Sequence, residues 1–421
     1  MEDVGTSANQ LIQLDSNAKI PAVDGSLLTG LGASSGASDP TISTNPGAVG
    51  TKFINTTDGE IFICTDATAG ENVWINVGAG TGNIVPYVLQ GSSYGYCCGG
   101  YLGKNGPAIY GKMIEKYSFV SDGNATDVAD MISTRRGCRG NSSGTHGYIT
   151  GGTQYAPQPA GTHNGIERFP FASDSDSVDW ADMTNSKSNN TINTGNGTYG
   201  FAMGGDGSAA PYYTNVIDRF PFATETNATD WADMTAQNGG GGGASYISGG
   251  YGYSLGGNHQ PGGSTNVIEK FPFASQTNAT DVGDITLGRQ GCGGASSETH
   301  GFCVGGLTVG NNPNNGAPLW SRVEIDKHSF ASGGNSVDHG DIPVQAGAGA
   351  NSVAATSSTT HCYFAGGMYF YNSSNHSYAR EQIAKFAYAS NVTASDVGDL
   401  VDARSTNIVH WGMDSCSAHQ V

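Results

Sequence analysis

The chain has 421 residues, 65 of them glycine; only 13% are charged, and 36 acids against 18 bases give a formal charge of −18. So acidic a chain is a poor match for nucleic acid or an anionic membrane, no apolar run approaches a membrane span, and the polar start MEDVGTSANQ is unlike a signal peptide. Abundant Gly, Ser, Thr, Asn and Tyr exclude helical bundles and doubly wound α/β folds and favour short strands joined by tight turns.

Residues 1–46 read as an extended attachment segment and linker. The apolar piece holding Leu11, Ile12, Leu14 and Ile20 is too short for a core, and 32–46 is rich in Gly, Ser, Thr and Pro. Residues 47–82 read as a small β-hairpin stem. Lys52–Thr56 and Glu60–Thr65 flank an Asp58-Gly59 turn, and Val73–Val77 adds a third strand. A module of about 35 residues with one Trp is expected to lack a core of its own and to gain stability from copies of itself. The residues expected between copies are Leu11, Ile12, Leu14, Ile20, Phe53, Ile61, Ile63 and Trp74.

From residue 83 one block recurs six times. Its strand IEKYSF begins at Ile114 and returns, varied, at Ile166, Ile217, Ile268, Ile325 and Ile383. Each is followed by a D-x-x-D pair, from Asp127/Asp130 to Asp396/Asp399, and preceded by Gly-Gly at Gly99, Gly151, Gly204, Gly249, Gly305 and Gly366. A period near 50 with four short strand signals predicts an all-β, six-bladed propeller over 83–421. Strand a is the small-residue segment (GCRGNSS), b is HGYITGG, c is IEKFPF, and d runs through D-x-x-D. Glycine suits strand a because innermost strands converge. The tail from Ala403 is expected to close the ring beside Tyr94–Gly100, with Ile84–Gln90 the competing strand. The c–d turns carry Asn124, Asn227 and Asn278, whose side chains bond nearby backbone. The Asp pairs read as turn caps; calcium stays the alternative, without EF-hand spacing.

The Gly-Gly, the I-E-K-F strand, Trp180, Trp231, the Met and the later base (Arg135, Lys187, Arg289, Arg404) together resemble kelch repeats. Residues 8–79, with LIQLD, AKIPAVDGS and FINTTDGEIFICTDA, resemble shaft and junction modules of bacteriophage tail fibres, and the ATDVGD repeats are similar to structural proteins of marine phages. The resemblance implies a phage virion protein assembled in the host cytoplasm. It implies a trimeric stem, attachment to other virion proteins through residues 1–46, and a tail-fibre or spike tip that recognises a host-surface glycan or protein. A purely structural head fibre or tail connector is the alternative, and a glycan-degrading tailspike the second.

The b–c loops vary in length and sequence and carry Tyr101, Tyr110, Tyr155, Tyr212, Tyr213, Tyr251, Tyr253, His259, Trp320, Tyr369, Tyr371 and His376 among Gly and Asn. Tyr on a Gly/Ser/Asn background suits an adaptable recognition face. His146, His300 and His361 share one strand-b slot and read as packing rather than a metal ring. Arg135, Arg289 and Arg404 read as bridges between blades. The repeated carboxylates belong to the fold, and Asp206, Glu225, Glu298, Glu381 and Asp414 form no cluster. The expectation is a non-enzyme without cofactor or metal. The eight cysteines, lacking CxxC or CxxH spacing, read as free thiols.

Overall fold

In the computed structural model, every regular element among the described residues is a β-strand. The described residues are 33–77, 88–102, 109–154, 161–187, 192–207, 213–259, 263–309, 319–344, 349–350, 352–371, 376–404 and 416–419. The chain divides into two compact units, Met1–Pro86 and Tyr87–Val421.

In the first unit, Ser34–Gly36, Lys52–Asn55, Ile61–Asp66 and Val73–Asn76 form one sheet in chain order. The stretch 32–46 therefore holds a strand as well as linker, paired parallel with Ser34 opposite Phe53. At the Asp58-Gly59 turn, Gly59 takes φ +82° and donates its N–H to Asn55 O at 2.9 Å. Residues two apart share a face of a strand, and this sorts the apolar side chains. Phe53, Phe62, Cys64 and Trp74 turn inward and are buried together, Phe53 meeting Trp74 edge to face with centroids 5.9 Å apart. Ile61 is 40% exposed and Ile63 half-buried. The module thus has a small core within one chain, and Phe53 and Trp74 belong to it rather than to contacts between copies. Leu11, Ile12, Leu14 and Ile20 lie outside the described residues.

Among the described residues the second unit holds eight antiparallel sheets, and six of them carry strands a to d side by side. Sheet 2 is Arg139–Ser142, His146–Thr150, Gly165–Pro170 and Val178–Asp182; sheet 3 is Ile192–Gly195, Tyr199–Met203, Val216–Pro221 and Thr229–Asp233. Sheet 4 is Gly242–Tyr246, Tyr251–His259, Gly263–Pro272 and Thr280–Asp284; sheet 5 is Gly293–Ser296, His300–Val304, Glu324–Ser329 and Val337–Asp341. Sheet 6 is Ala354–Ser357, His361–Ala365, His376–Ala387 and Ser395–Arg404. Sheet 1 joins the two ends of the unit: Cys416–His419 is strand a, followed by Tyr94–Cys98, Met113–Ser118 and Thr126–Asp130. The strand beside Tyr94–Cys98 is therefore C-terminal but later than expected, because Ala403 still belongs to strand d of sheet 6. From the competing segment, Gln90 donates to Ser296 O at 2.9 Å, and Gly91 N–H reaches Ser357 O at 2.7 Å.

Sheet 4 also corrects a register. Its strand b is Tyr251–His259 rather than the run ending at Gly249. Ile247–Gly250 is the a–b turn, closed from Gly250 N–H to Ile247 O at 3.0 Å. The left-handed pair is Gly256–Gly257 (φ +67° and +120°), where the register of strand b shifts, matching Gly204–Gly205 (+59° and +103°) after strand b of sheet 3. A side chain resists these angles, and they aim the second N–H at the following d–a corner: Gly205 to Asn238 O and Gly257 to Arg289 O, at 2.9 and 2.8 Å.

Three sets of contacts join neighbouring sheets in one cyclic order. The a strands lie against one another from sheet 1 through sheet 6 and back to sheet 1. Side chains are excluded there by close approach: a Cβ on Gly243 would overlap the Asn193 carbonyl of sheet 3. An aromatic on strand b packs on the ring ending strand c of the next sheet: Tyr96 on Phe171, Tyr148 on Phe222, Phe201 on Phe273, Tyr253 on Phe330, Phe302 on Tyr388 and Tyr363 on Phe119, with centroids 4.5–5.2 Å apart. Finally, each c–d turn donates an N–H to the second Asp of the preceding D-x-x-D. These bonds run Ser177 to Asp130, Ala228 to Asp182, Ala279 to Asp233, Ser336 to Asp284, Ala394 to Asp341 and Ala125 to Asp399, all at 2.7–2.9 Å.

Candidate functional site

The seams carry the buried charge. The acid of I-E-K-F points into strand d of the preceding sheet, where the base four residues after the Met meets it. Arg135 pairs with Glu167, Lys187 with Asp218 and Arg289 with Asp326, all side chains essentially unexposed. The same acids cap backbone: Glu167 accepts from Ile132 N–H at 3.1 Å, and Glu115 from Val401 N–H at 2.7 Å across the closing seam. Arg135 and Arg289 are thus bridges between sheets, as their spacing suggested; the Arg404 side chain lies outside the description. Sequence reading missed the acids' role. The signal was present, because the seam with Ala346 in its basic slot also has Ala384 in its acid slot. Arg380 enters that seam instead, donating to Pro343 O at 3.1 Å.

Over these seams the b–c connections are small hairpins. Tyr101 pairs with Tyr110, Thr153 with Thr162, Thr308 with Trp320, Tyr369 with Tyr378 and Tyr371 with His376. In sheet 3, Asp206 bridges to Tyr213, and in sheet 4 His259 pairs with Gly263. Neighbouring hairpins join: Asn258 donates to Tyr213 Oη at 3.0 Å, and Leu102 pairs with Arg404 of sheet 6. Tyr101, Tyr110, Tyr213, His259, Trp320, Tyr369, Tyr371 and His376 are therefore gathered on the hairpin side of the sheets. Tyr155 and Tyr212 lie outside the described residues. Tyr251 and Tyr253 do not belong to this set, as a consequence of the register of sheet 4. Tyr253 is a core ring, and Tyr251 sits at the opposite, a–b turn end, under the Lys270 ammonium at 4.6 Å. Burial lifts the Asp206 carboxyl to about 6 and holds His259 below its ordinary value.

His146, His300 and His361 each stand at an a–b turn, Nδ1 2.8 Å from Thr145, Thr299 or Thr360 Oγ1, while Ser143, Ser297 and Ser358 accept their backbone N–H groups. That is local turn chemistry. The first Asp of D-x-x-D serves its own strand: Asp281 accepts from Gly283 N–H and Asp338 from Gly340 N–H, at 3.1 and 3.0 Å. Among the described residues the sole grouping with metal-ligand spacing is Asp39, Asp58 and Glu60 of the first unit, and Asn55 already donates to Asp39 and Asp58 at 2.8 and 2.9 Å.

Where the a strands meet, a cavity of about 70 Å³ is lined by polar residues including Asn141, Ser142, Thr194 and Ser245. Arg139 of sheet 2 reaches Cys292 O before sheet 5, at 3.1 Å. Seven described cysteines, among them Cys64, Cys292 and Cys303, are buried.

No protein-family model matches this chain, and a search of curated proteins returns no match.

Proposed function

We propose that the six sheets are the blades of a closed six-bladed propeller, and that the chain is a virion structural protein whose hairpin face recognises a host-surface glycan or protein. What supports the closed ring is that the aromatic stacks and the c–d hydrogen bonds each return from sheet 6 to sheet 1. What supports recognition is one contrast: the seams repeat, while the hairpins above them differ in length and sequence and gather aromatic residues. A fold needs the seams repeated and leaves the hairpins free, so the variation belongs to binding.

The first unit acts as the stem in this reading. Its outward apolar residues, Ile61 and Val77 at 40% and 54% exposed, are the candidates for contact between copies in a trimer. Three copies multiply a weak site without new contacts. Sedimentation of the full chain should give three times the monomer mass; a monomer at micromolar concentration refutes the trimer.

The test of recognition is binding of the full chain to a panel of bacterial surface polysaccharides and whole cells. Trp320→Ala with Tyr369→Ala should lose at least about tenfold in affinity, as expected for aromatic anchors. Unchanged binding refutes the choice of face, and release of oligosaccharides from a bound polysaccharide overturns the non-enzymatic reading.

A further inference from the structure

We propose a binding groove for an acidic sugar between sheets 5 and 6, on the side of the a–b and c–d turns. It lies away from the hairpin face and does not depend on the reading above. The base two residues after the first Ile of each strand c is Lys116, Arg168, Arg219, Lys270, Lys327 or Lys385, and the matching position of the next c–d turn is acidic in three seams and Gln276, Gly333 or Asn391 in the others. Arg168, Arg219 and Lys270 lie over the Trp180, Trp231 and Tyr251 rings. Lys116 and Lys385 each reach an acid in the next c–d turn, Asp174 and Asp122, at 2.5 Å. Opposite Lys327 the corresponding turn residue is Asn391. Lys327 donates to Tyr388 O at 3.2 Å and, among the described residues, pairs with no carboxylate.

Beside this ammonium opens a groove of about 430 Å³, its walls formed by His300, Ser329, Asn335, His339 and Asn391 among others. One acid stands on the wall, Asp338, and it accepts the Gly340 N–H. His339 donates from Nε2 to Ala387 O at 3.1 Å, and His300 Nδ1 is held by Thr299. Burial first, then the Lys327 charge, hold both His300 and His339 below their ordinary pKa, so the imidazoles favour the neutral form and Lys327 is the cation of the groove. A carboxylate beside Lys327 supplies what Asp174 and Asp122 supply elsewhere. The volume lies in the range of small-molecule pockets and exceeds the needs of a bare inorganic ion. Ser329, Asn335 and Asn391 offer partners for hydroxyls, and Val337, 61% exposed, offers an apolar edge for a ring face. An acidic monosaccharide unit meets all of these features.

The experiment is a titration of the full chain with glucuronate, glucose and inorganic phosphate, followed by calorimetry and by histidine NMR signals. Glucuronate should bind saturably in the millimolar range, shifting the His300 and His339 signals, and glucose should not. Lys327→Gln should weaken glucuronate at least tenfold; Lys116→Gln, in a seam that has its acid, should not. Asn391→Asp, which places an acid at the position that Asp174 and Asp122 hold in their seams, should abolish binding in a protein that unfolds like the wild type, and this variant separates lost binding from lost folding. Phosphate that displaces glucuronate supports a shared anion position. Equal binding of glucose, undiminished binding in Lys327→Gln or Asn391→Asp, or binding of phosphate alone overturns the proposal.

Discussion

Asp218→Ala would leave the Lys187 ammonium buried with only the Ala202 and Val216 carbonyls, at 3.3 and 3.2 Å. Lys187→Ala would leave the Asp218 carboxylate buried with the Thr184 hydroxyl, at 2.5 Å. In the native seam the two charges stand 2.9 Å apart with no exposure of either side chain. Removing one half of such a pair costs about 3–5 kcal/mol, because the other charge is left uncompensated in a poorly solvated place. The double variant strands no charge. Its cost is the lost packing and hydrogen bonds, about 2–4 kcal/mol. The singles should therefore sum to about 6–10 kcal/mol and exceed the double by about 2–8 kcal/mol. Urea unfolding of all four proteins measures the cycle, with equal slopes needed for the comparison. Costs additive within about 0.5 kcal/mol would refute the claim that these pairs act as units.

Three further outcomes follow from single positions. Glu269 sits in the seam whose basic slot is Asn238, and burial raises its pKa from 4.5. The folded carboxyl holds its proton to higher pH than the unfolded one, so its contribution is complete below 4.5 and declines as pH rises through the folded value. Glu269→Gln should therefore gain stability relative to wild type between pH 4.5 and 8, and a constant difference across that window would contradict this. His328 occupies the strand-c slot that is Tyr117, Phe169, Phe220, Phe271 or Phe386 elsewhere, is fully buried, and is held down to about 4 by desolvation. Stability from its neutral form is complete above pH 6.5 and is lost as pH falls toward 4. His328→Phe should widen its advantage by about 3 kcal/mol over that fall, and parallel pH profiles would refute it. Gly200 lies under the Phe220 ring, which a Cβ would overlap. Gly200→Ala should cost about 1–3 kcal/mol, and an unchanged urea midpoint would show that the ring is free to move aside.

Much of the architecture could be read directly from the chain. Ile166-Glu167, Tyr148 and the Gly-Gly pairs recur because a repeated strand cycle demands the same inward residue, the same cross-strand ring and the same left-handed corner in every copy. Where that periodicity was ambiguous, the reading slipped. Gly249-Gly250 and Gly256-Gly257 compete for one role in sheet 4, and only the corner bonded to Arg289 O chooses between them. The choice moved Tyr253 from a loop into the core. The stem shows the same limit, since alternation announces two faces but the folded sheet selects which one buries Phe53 and Trp74.

The sequence by itself indicated the strand cycle, which depends on neighbours along the chain, but not the turn chemistry: the c–d turn Asn side chains, read as bonding nearby backbone, accept the N–H of the second Asp of the preceding sheet, Asn227 from Asp182 at 3.0 Å and Asn278 from Asp233 at 3.1 Å. Tertiary structure alone decided the partners across the seams, the C-terminal closing strand and the groove beside Lys327. Those rest on residues from different repeats meeting in space, and Lys327 and Asn391 become lining of one groove only when sheets 5 and 6 stand side by side.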